Sequence, residues 1–189
     1  SCDYAFSDAV NRLNSMQISE KSTAGEALDL NGDGKPDNGM AGIGGLANEP
    51  LQGSVEGGDI HFLFEHHDLK TDGNIYTLTV AVGDLAPGFE ACNFSTDYCG
   101  YVAAAGTIDT EACEPAVSFD NASIFQGKLV AGGASYLFPW QVPLSAETIL
   151  DITLYNATIH ADVTVQQGVV TSMEGIIGGA IPKQQFLDA

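Results

Sequence analysis

After about residue 53, apolar and polar residues alternate in long runs, and the alternation predicts strands. In "GDIHFLFEHHDL", Ile60, Phe62 and Phe64 fall on one face at the period of two that a pleated strand imposes. "KTDGN" follows, and its Asp72-Gly73 pair supplies the positive φ angles of a tight hairpin turn. "IYTLTVAV" then places Tyr76, Leu78, Val80 and Val82 inward, with Ile75, Thr77 and Thr79 outward. "AVSFDNASIF" and "KLVAG" predict a second hairpin turning near Gln126-Gly127. In "TILDITLYNATIHADVTV", Tyr155, Ala157, Ile159, Ala161, Val163 and Val165 share one face. Asn156, Thr158, His160, Asp162 and Thr164 share the other, which describes an antiparallel strand with one wet side. Ile152 and Leu154 have the opposite parity, so a bulge or a fully buried start is expected upstream. Gln167-Gly168 turns the chain into "VVTSMEGII".

The first fifty residues lack that regularity. "YAFSDAVNRLNSMQIS" combines helical spacing at Val10 and Leu13 with strand-like spacing at Met16 and Ile18, and predicts a short helix or turn running into a strand. "STAGEAL" predicts a brief helical turn capped by Ser22 or Thr23. "NGMAGIGGLANEP" predicts a short helix loosened by Gly42, Gly44 and Gly45 and ended by Pro50. At the far end, Pro182 suits the first turn of a short helix that packs Phe186 and Leu187 on the sheet. There is no repeat of fixed period. The expected fold is mainly β, an antiparallel β-sandwich or barrel with a short N-terminal helical calcium-loop element and a short C-terminal helix. It forms a single domain over 1–189, with the loop element in 1–50, the β core in 53–175, a disulfide-stapled excursion at 86–115 and the helical tail in 176–189.

Composition narrows the partners. The 189 residues are 44% apolar, enough to bury a core without relying on metal or disulfides. Six basic residues face 25 acidic ones, for a formal net charge of −19. Phosphate backbones and anionic membrane surfaces are repelled by such a chain, so neither nucleic acid nor membrane insertion is expected. No apolar run approaches the ~18 residues of a membrane span. Cysteines stand at 2, 92, 99 and 113, without a CxxC pair for zinc or redox chemistry. Two disulfides suit an exported protein. Cys92 and Cys99 are close enough to bridge locally, which leaves Cys2 for Cys113. The other two pairings stay open, as does a rival role for Cys2 as a lipid-attachment site after a cleaved signal. The start at Ser1 leads one to expect a processed, mature form.

The stretch "LDLNGDGKPDN" has the spacing of a cation loop. With Asp29 as position 1, Asn31 is 3, Asp33 is 5 and Gly34 is 6. Lys35 can offer its carbonyl at 7, and Asp37 is 9. Calcium takes six to eight hard oxygens, and an EF-hand loop presents them at these alternate positions around one glycine. Three carboxylates within nine residues repel one another unless a cation neutralises them. The pattern departs from an EF-hand at position 12, where Met40 replaces the bidentate glutamate. Asp37 binding bidentately, or a remote group such as Glu49, would have to complete the shell. Binding on the order of 10⁻⁴ to 10⁻³ M is expected, as for extracellular modules.

The stretch "LNSMQISEKSTAGEALDLNGDGKPDNGMAGIGGL" resembles the opening of exported proteins and lipoproteins of myxobacteria and related bacteria, and "LYNATIHADVTV…GIIGGAIPKQQFLDA" resembles their ending. In those proteins a strand leads to a "DLDGDGxxDN" loop and then an "LG" helix. The resemblance covers both ends of the chain, about half of it, and only its acidic loop, here Asp29, Asn31, Asp33 and Asp37, has motif strength. It implies secretion and fold more than an activity.

Other candidates are weaker. In "HFLFEHHD", His61, Glu65 and His67 share a strand face, but residues four apart along a strand lie ~13 Å apart. Glu65 and His67 could form half a transition-metal site with His160 from another strand. Neither GxSxG nor a phosphate-loop setting is present. Trp140, with Tyr136 and Phe138 nearby, is a core cluster or a sugar-stacking platform. The leading expectation is a non-enzymatic, calcium-stabilised exported surface protein with a structural, adhesive or assembly-subunit role. It would self-associate or bind other surface proteins, outside the cell or on its surface. The alternative is a carbohydrate-binding, lectin-like module, and a hydrolase with an unmarked acid pair comes third.

Overall fold

The computed structural model describes residues 2–7, 10–94, 96–143 and 148–187. The fold is mainly β and antiparallel, as the alternation predicts. Strand β1 (Val10–Arg12) pairs with β2 (Phe62–His67), and β2 with β3 (Asp72–Leu85). The sheet continues through β7 (Val117–Phe125), β8 (Lys128–Gly132), β10 (Ile149–Gln166) and β11 (Val169–Ala180). The short β4 (Tyr101–Ala103) folds back on β3, and β9 (Leu137–Pro143) pairs with the first half of β10. Between β4 and β7, β5 (Ile108–Asp109) and β6 (Glu114–Pro115) form a separate small ribbon.

The sheet curls until its ends meet. Asn11 in β1 donates from Nδ2 to the carbonyl of Val170 in β11 at 2.8 Å, joining the first and last strands of the order. The rings of Phe62 in β2 and Phe138 in β9 lie 6.2 Å apart across the interior. One core results, with Phe119, Phe138, Leu78, Ile124, Leu129, Ile152 and Ile159 essentially without solvent contact.

Helix α1 (Ala41–Gly57) lays Ala47, Leu51 and Val55 into this core. The helix runs through Pro50, where the sequence predicts an end. A proline inside a helix costs about 3 kcal/mol. Full burial of Leu51 and Val55 contributes about 1.5–3 kcal/mol each, so the apolar spacing outweighs the breaker.

Two further expectations need correction. Residues 10–12 form a strand paired with residues 63–65 of β2, with no helix among the described residues before it. Met16 and Ile18 belong to no strand. Their backbones bond helix side chains instead, Met16 N–H to Gln52 Oε1 at 3.0 Å and Ile18 N–H to Asn48 Oδ1 at 2.7 Å. Asp72-Gly73 is likewise not the hairpin turn. The β2–β3 pairing ends at His67 and Thr77, and Gly73 (φ 89°) sits where the β3–β7 register shifts. A glycine-type bulge and a tight hairpin turn can both place a glycine at positive φ, so the dipeptide fits either.

The remaining turns fall at Gln126-Gly127 and Gln167-Gly168 as expected. The bulge in β10 lies between Tyr155 and Thr158, with Asn156 at φ 54°. It reverses the inward parity from Leu154 to Ala157 and leaves Tyr155 exposed rather than inward. The C-terminal helix α2 (Gln184–Leu187) is present, while the expected packing of Phe186 and Leu187 lies outside the described side chains. The disulfides join Cys92 to Cys99 and Cys2 to Cys113, so Cys2 is engaged in a bridge rather than free for lipid attachment.

Candidate metal site

The acidic loop follows a single bridge pair, Leu28 with Asp37, that closes its neck. Asp29 organises the interior. One of its carboxylate oxygens accepts the Gly32 and Asp33 N–H groups at 2.7 and 3.2 Å, and the other accepts Gly34 N–H at 2.8 Å. Asn31 Oδ1 accepts Asp33 N–H at 2.8 Å, and Asp33 Oδ1 accepts Lys35 N–H at 2.9 Å. Asp37 returns to the start, accepting Leu30 N–H at 3.0 Å and Asn31 Nδ2 at 3.3 Å. The donors are hard oxygens, as calcium requires. The second Asp29 oxygen, Asp33 Oδ1 and both Asp37 oxygens accept one N–H each and keep a second lone pair, while the first Asp29 oxygen already accepts two. Convergence is the weaker half of the fit. Among the described residues no three acidic, histidine or cysteine side chains come within reach of one ion. Glu49 is exposed on α1, the helix that follows the loop.

The loop is docked on the sheet by Leu28. A Cβ built on Gly178 of β11 would lie 3.0 Å from the Leu28 side chain, so the missing side chain at 178 makes room for it. The helical turn predicted for 22–28 is present only as turn backbone, with Glu26 and Ala27 N–H groups bonding Thr23 O. Between the loop and the outer face of β10 runs a groove of about 630 Å³, flanked by Leu28, Leu30, Pro36, Asn156, Thr158 and His160.

The histidine candidates do not assemble. His160 lies on β10, separated from β2 in the sheet by β3, β7 and β8. His61 is buried beneath Phe94 and Tyr101, with ring centroids 5.0 and 5.1 Å away. Burial, and then the Arg12 guanidinium, hold its imidazole below the ordinary histidine range. Arg12 also lies over the Phe94 ring at 4.5 Å. His67 Nε2 stands 3.6 Å from Glu65 Oε2 and 2.9 Å from Thr79 Oγ1.

Glu65 has a partner that strand spacing did not reveal. It is 2% exposed, on the outer face of β2, where the N-terminal segment crosses over it. Its carboxylate accepts the Tyr4 hydroxyl and, at 2.7 Å, the Ser7 N–H. Burial by itself would raise its pKa. The Tyr4 and Ser7 donors, with His67 nearby, outweigh that and hold it below the usual glutamate value. The only hint in the sequence is the position of a charged residue inside an otherwise apolar strand. Trp140 and Phe138 are buried and Tyr136 stacks on Phe119, so this aromatic trio belongs to the core.

Comparison with protein-family models, with curated proteins and with solved structures finds no match to this chain.

Proposed function

We propose that this chain is a calcium-stabilised, non-enzymatic exported surface protein with a structural or adhesive role. The observation that carries the reading is the closure of the acidic loop, in which Asp37 folds back onto Leu30 and Asn31 and brings both ends of the DxNxDGxxD pattern together. A cation held by Asp29, Asn31, Asp33, Asp37 and the Lys35 carbonyl would tie this loop shut, and through Leu28 it would fix residues 19–38 against β11. Asn38 strengthens the link, donating from Nδ2 to the Ser19 and Lys21 carbonyls at 2.6 and 2.8 Å. The two disulfides favour an oxidising compartment, where millimolar calcium keeps a weak site filled.

Thermal melting in 10 mM calcium and in excess chelator tests the proposal. For a dissociation constant of about 1 mM, mass action gives a stabilisation of about 1.4 kcal/mol, and for a domain of this size a rise in Tm of about 3–6 °C. Equal melting temperatures in calcium and chelator would overturn the calcium clamp.

A further inference from the structure

We propose that the outer face of β3, β7, β8, β10 and β11 is a docking surface for a basic amphipathic segment of another protein. The register places Ile75, Ser123, Val130, His160 and Ile176 in one row across these five strands. Cross-strand partners share a face, so the row is a contiguous strip. Ile75 is 66% exposed and Val130 48%, and beside them Phe125, in the neighbouring row, is 57% exposed. Scattered apolar residues on a surface mean little, but three adjacent ones at this exposure form a patch. The groove beside the acidic loop meets the strip at His160 and extends it toward Leu28 and Leu30.

Charge selects the partner. The next row along the strands carries Asp72, Lys128, Asp162 and Glu174, and the Lys128 ammonium is already paired with Asp162. The strip is therefore bordered along that row by three carboxylates against one ammonium. A second copy of this chain, with a net charge of −19, brings like charge to the same face, whereas apolar side chains flanked by Lys or Arg would satisfy both the strip and its border. The proposal deepens the adhesive reading and rests on it, since an adhesive protein needs a face for its partner.

A synthetic heptapeptide of alternating lysine and valine is the probe, titrated into the intact, disulfide-bonded chain by calorimetry at low and at 0.5 M salt. Heptalysine and an alternating glutamate–valine peptide serve as comparisons. The expected result is binding of the lysine–valine peptide that weakens with salt, at least tenfold weaker binding by the Ile75→Ser/Val130→Ser variant, and no change for Leu46→Ser, at the exposed apolar position on α1. Equally tight binding of heptalysine, or an unchanged affinity in the double variant, would overturn the proposal. So would salt-promoted self-association that the double variant abolishes, because the occupant would then be a second copy. Repeating the titration in chelator separates the two proposals: binding without a calcium effect on Tm leaves the docking face standing and removes the clamp, and the reverse result does the opposite.

Discussion

Asn11 closes the curled sheet through its side chain, donating to the Val170 carbonyl where a backbone ladder would otherwise be expected. The strand that carries it has three residues, and β11 has twelve, so most of the β11 edge lies beyond its reach. The Asn11 Oδ1 atom is buried without a partner. Substitution Asn11→Ala removes the one bond and leaves the Val170 carbonyl unsatisfied. A loss of about 1–3 kcal/mol in urea unfolding is expected. Amide exchange should rise more along β11 than in β7. Uniform acceleration across the sheet would show that the seam is held by something other than this bond.

The N-terminal segment is anchored at two points, the Cys2–Cys113 disulfide and the Glu65 carboxylate. Because the folded pKa of Glu65 is depressed, its contribution is present above the unfolded glutamate value and is lost as pH falls through the lower folded value. Glu65→Ala should cost about 2–4 kcal/mol near neutrality, since two hydrogen bonds to a charged acceptor disappear and their donors lose their partner. Lowering the pH toward 3 should narrow the gap between variant and parent. A constant difference from pH 7 to pH 3 would show that the carboxylate's charge is not what holds the segment.

His66 faces the core on the same strand and shares a hydrogen bond with the Tyr76 hydroxyl, 3.0 Å from its Nδ1. Burial, followed by the proximity of His67, lowers its pKa to about 4. The unfolded chain thus binds a proton that the folded chain refuses between about pH 6.5 and pH 4. Stability should be full above that window and fall as pH drops through it, by on the order of 3 kcal/mol in all. Urea midpoints at pH 7 and pH 4.5, compared between the parent and His66→Phe, would isolate this component. An equal acid loss in both proteins would assign it to the carboxylates instead.

Much of this fold was legible because alternation and burial agree. In β3 and the second half of β10, parity places Tyr76, Leu78, Val80, Ala157, Ile159, Ala161 and Val163 inward, and all seven are buried. What could not be read were features with more than one solution. Asp72-Gly73 satisfies a bulge as readily as a turn, and Met16 and Ile18 alternate like a strand while Gln52 and Asn48 take the place of a neighbouring strand. The candidate loop was visible as a local pattern. Its seat on Gly178 was not, since it joins positions 150 residues apart through the absence of a side chain. The Glu65 latch was hidden for a similar reason, its donors Tyr4 and Ser7 lying 61 and 58 residues away.

Pro50 provides the last test, because two arguments about it oppose each other. It sits inside α1 and cannot donate to the Leu46 carbonyl one turn back. Replacing it with alanine restores that donor and should recover part of the roughly 3 kcal/mol that an interior proline costs. Against this, proline restricts the unfolded chain, and losing that restriction costs about 0.4–1 kcal/mol. The folded-state gain is the larger of the two, so Pro50→Ala should raise stability by about 1–2 kcal/mol and slow amide exchange between residues 46 and 54. The readout is urea unfolding with exchange on the same sample. A lower midpoint would mean that the helix here is already shaped around the proline and that the packing of Leu51 and Val55 depends on it.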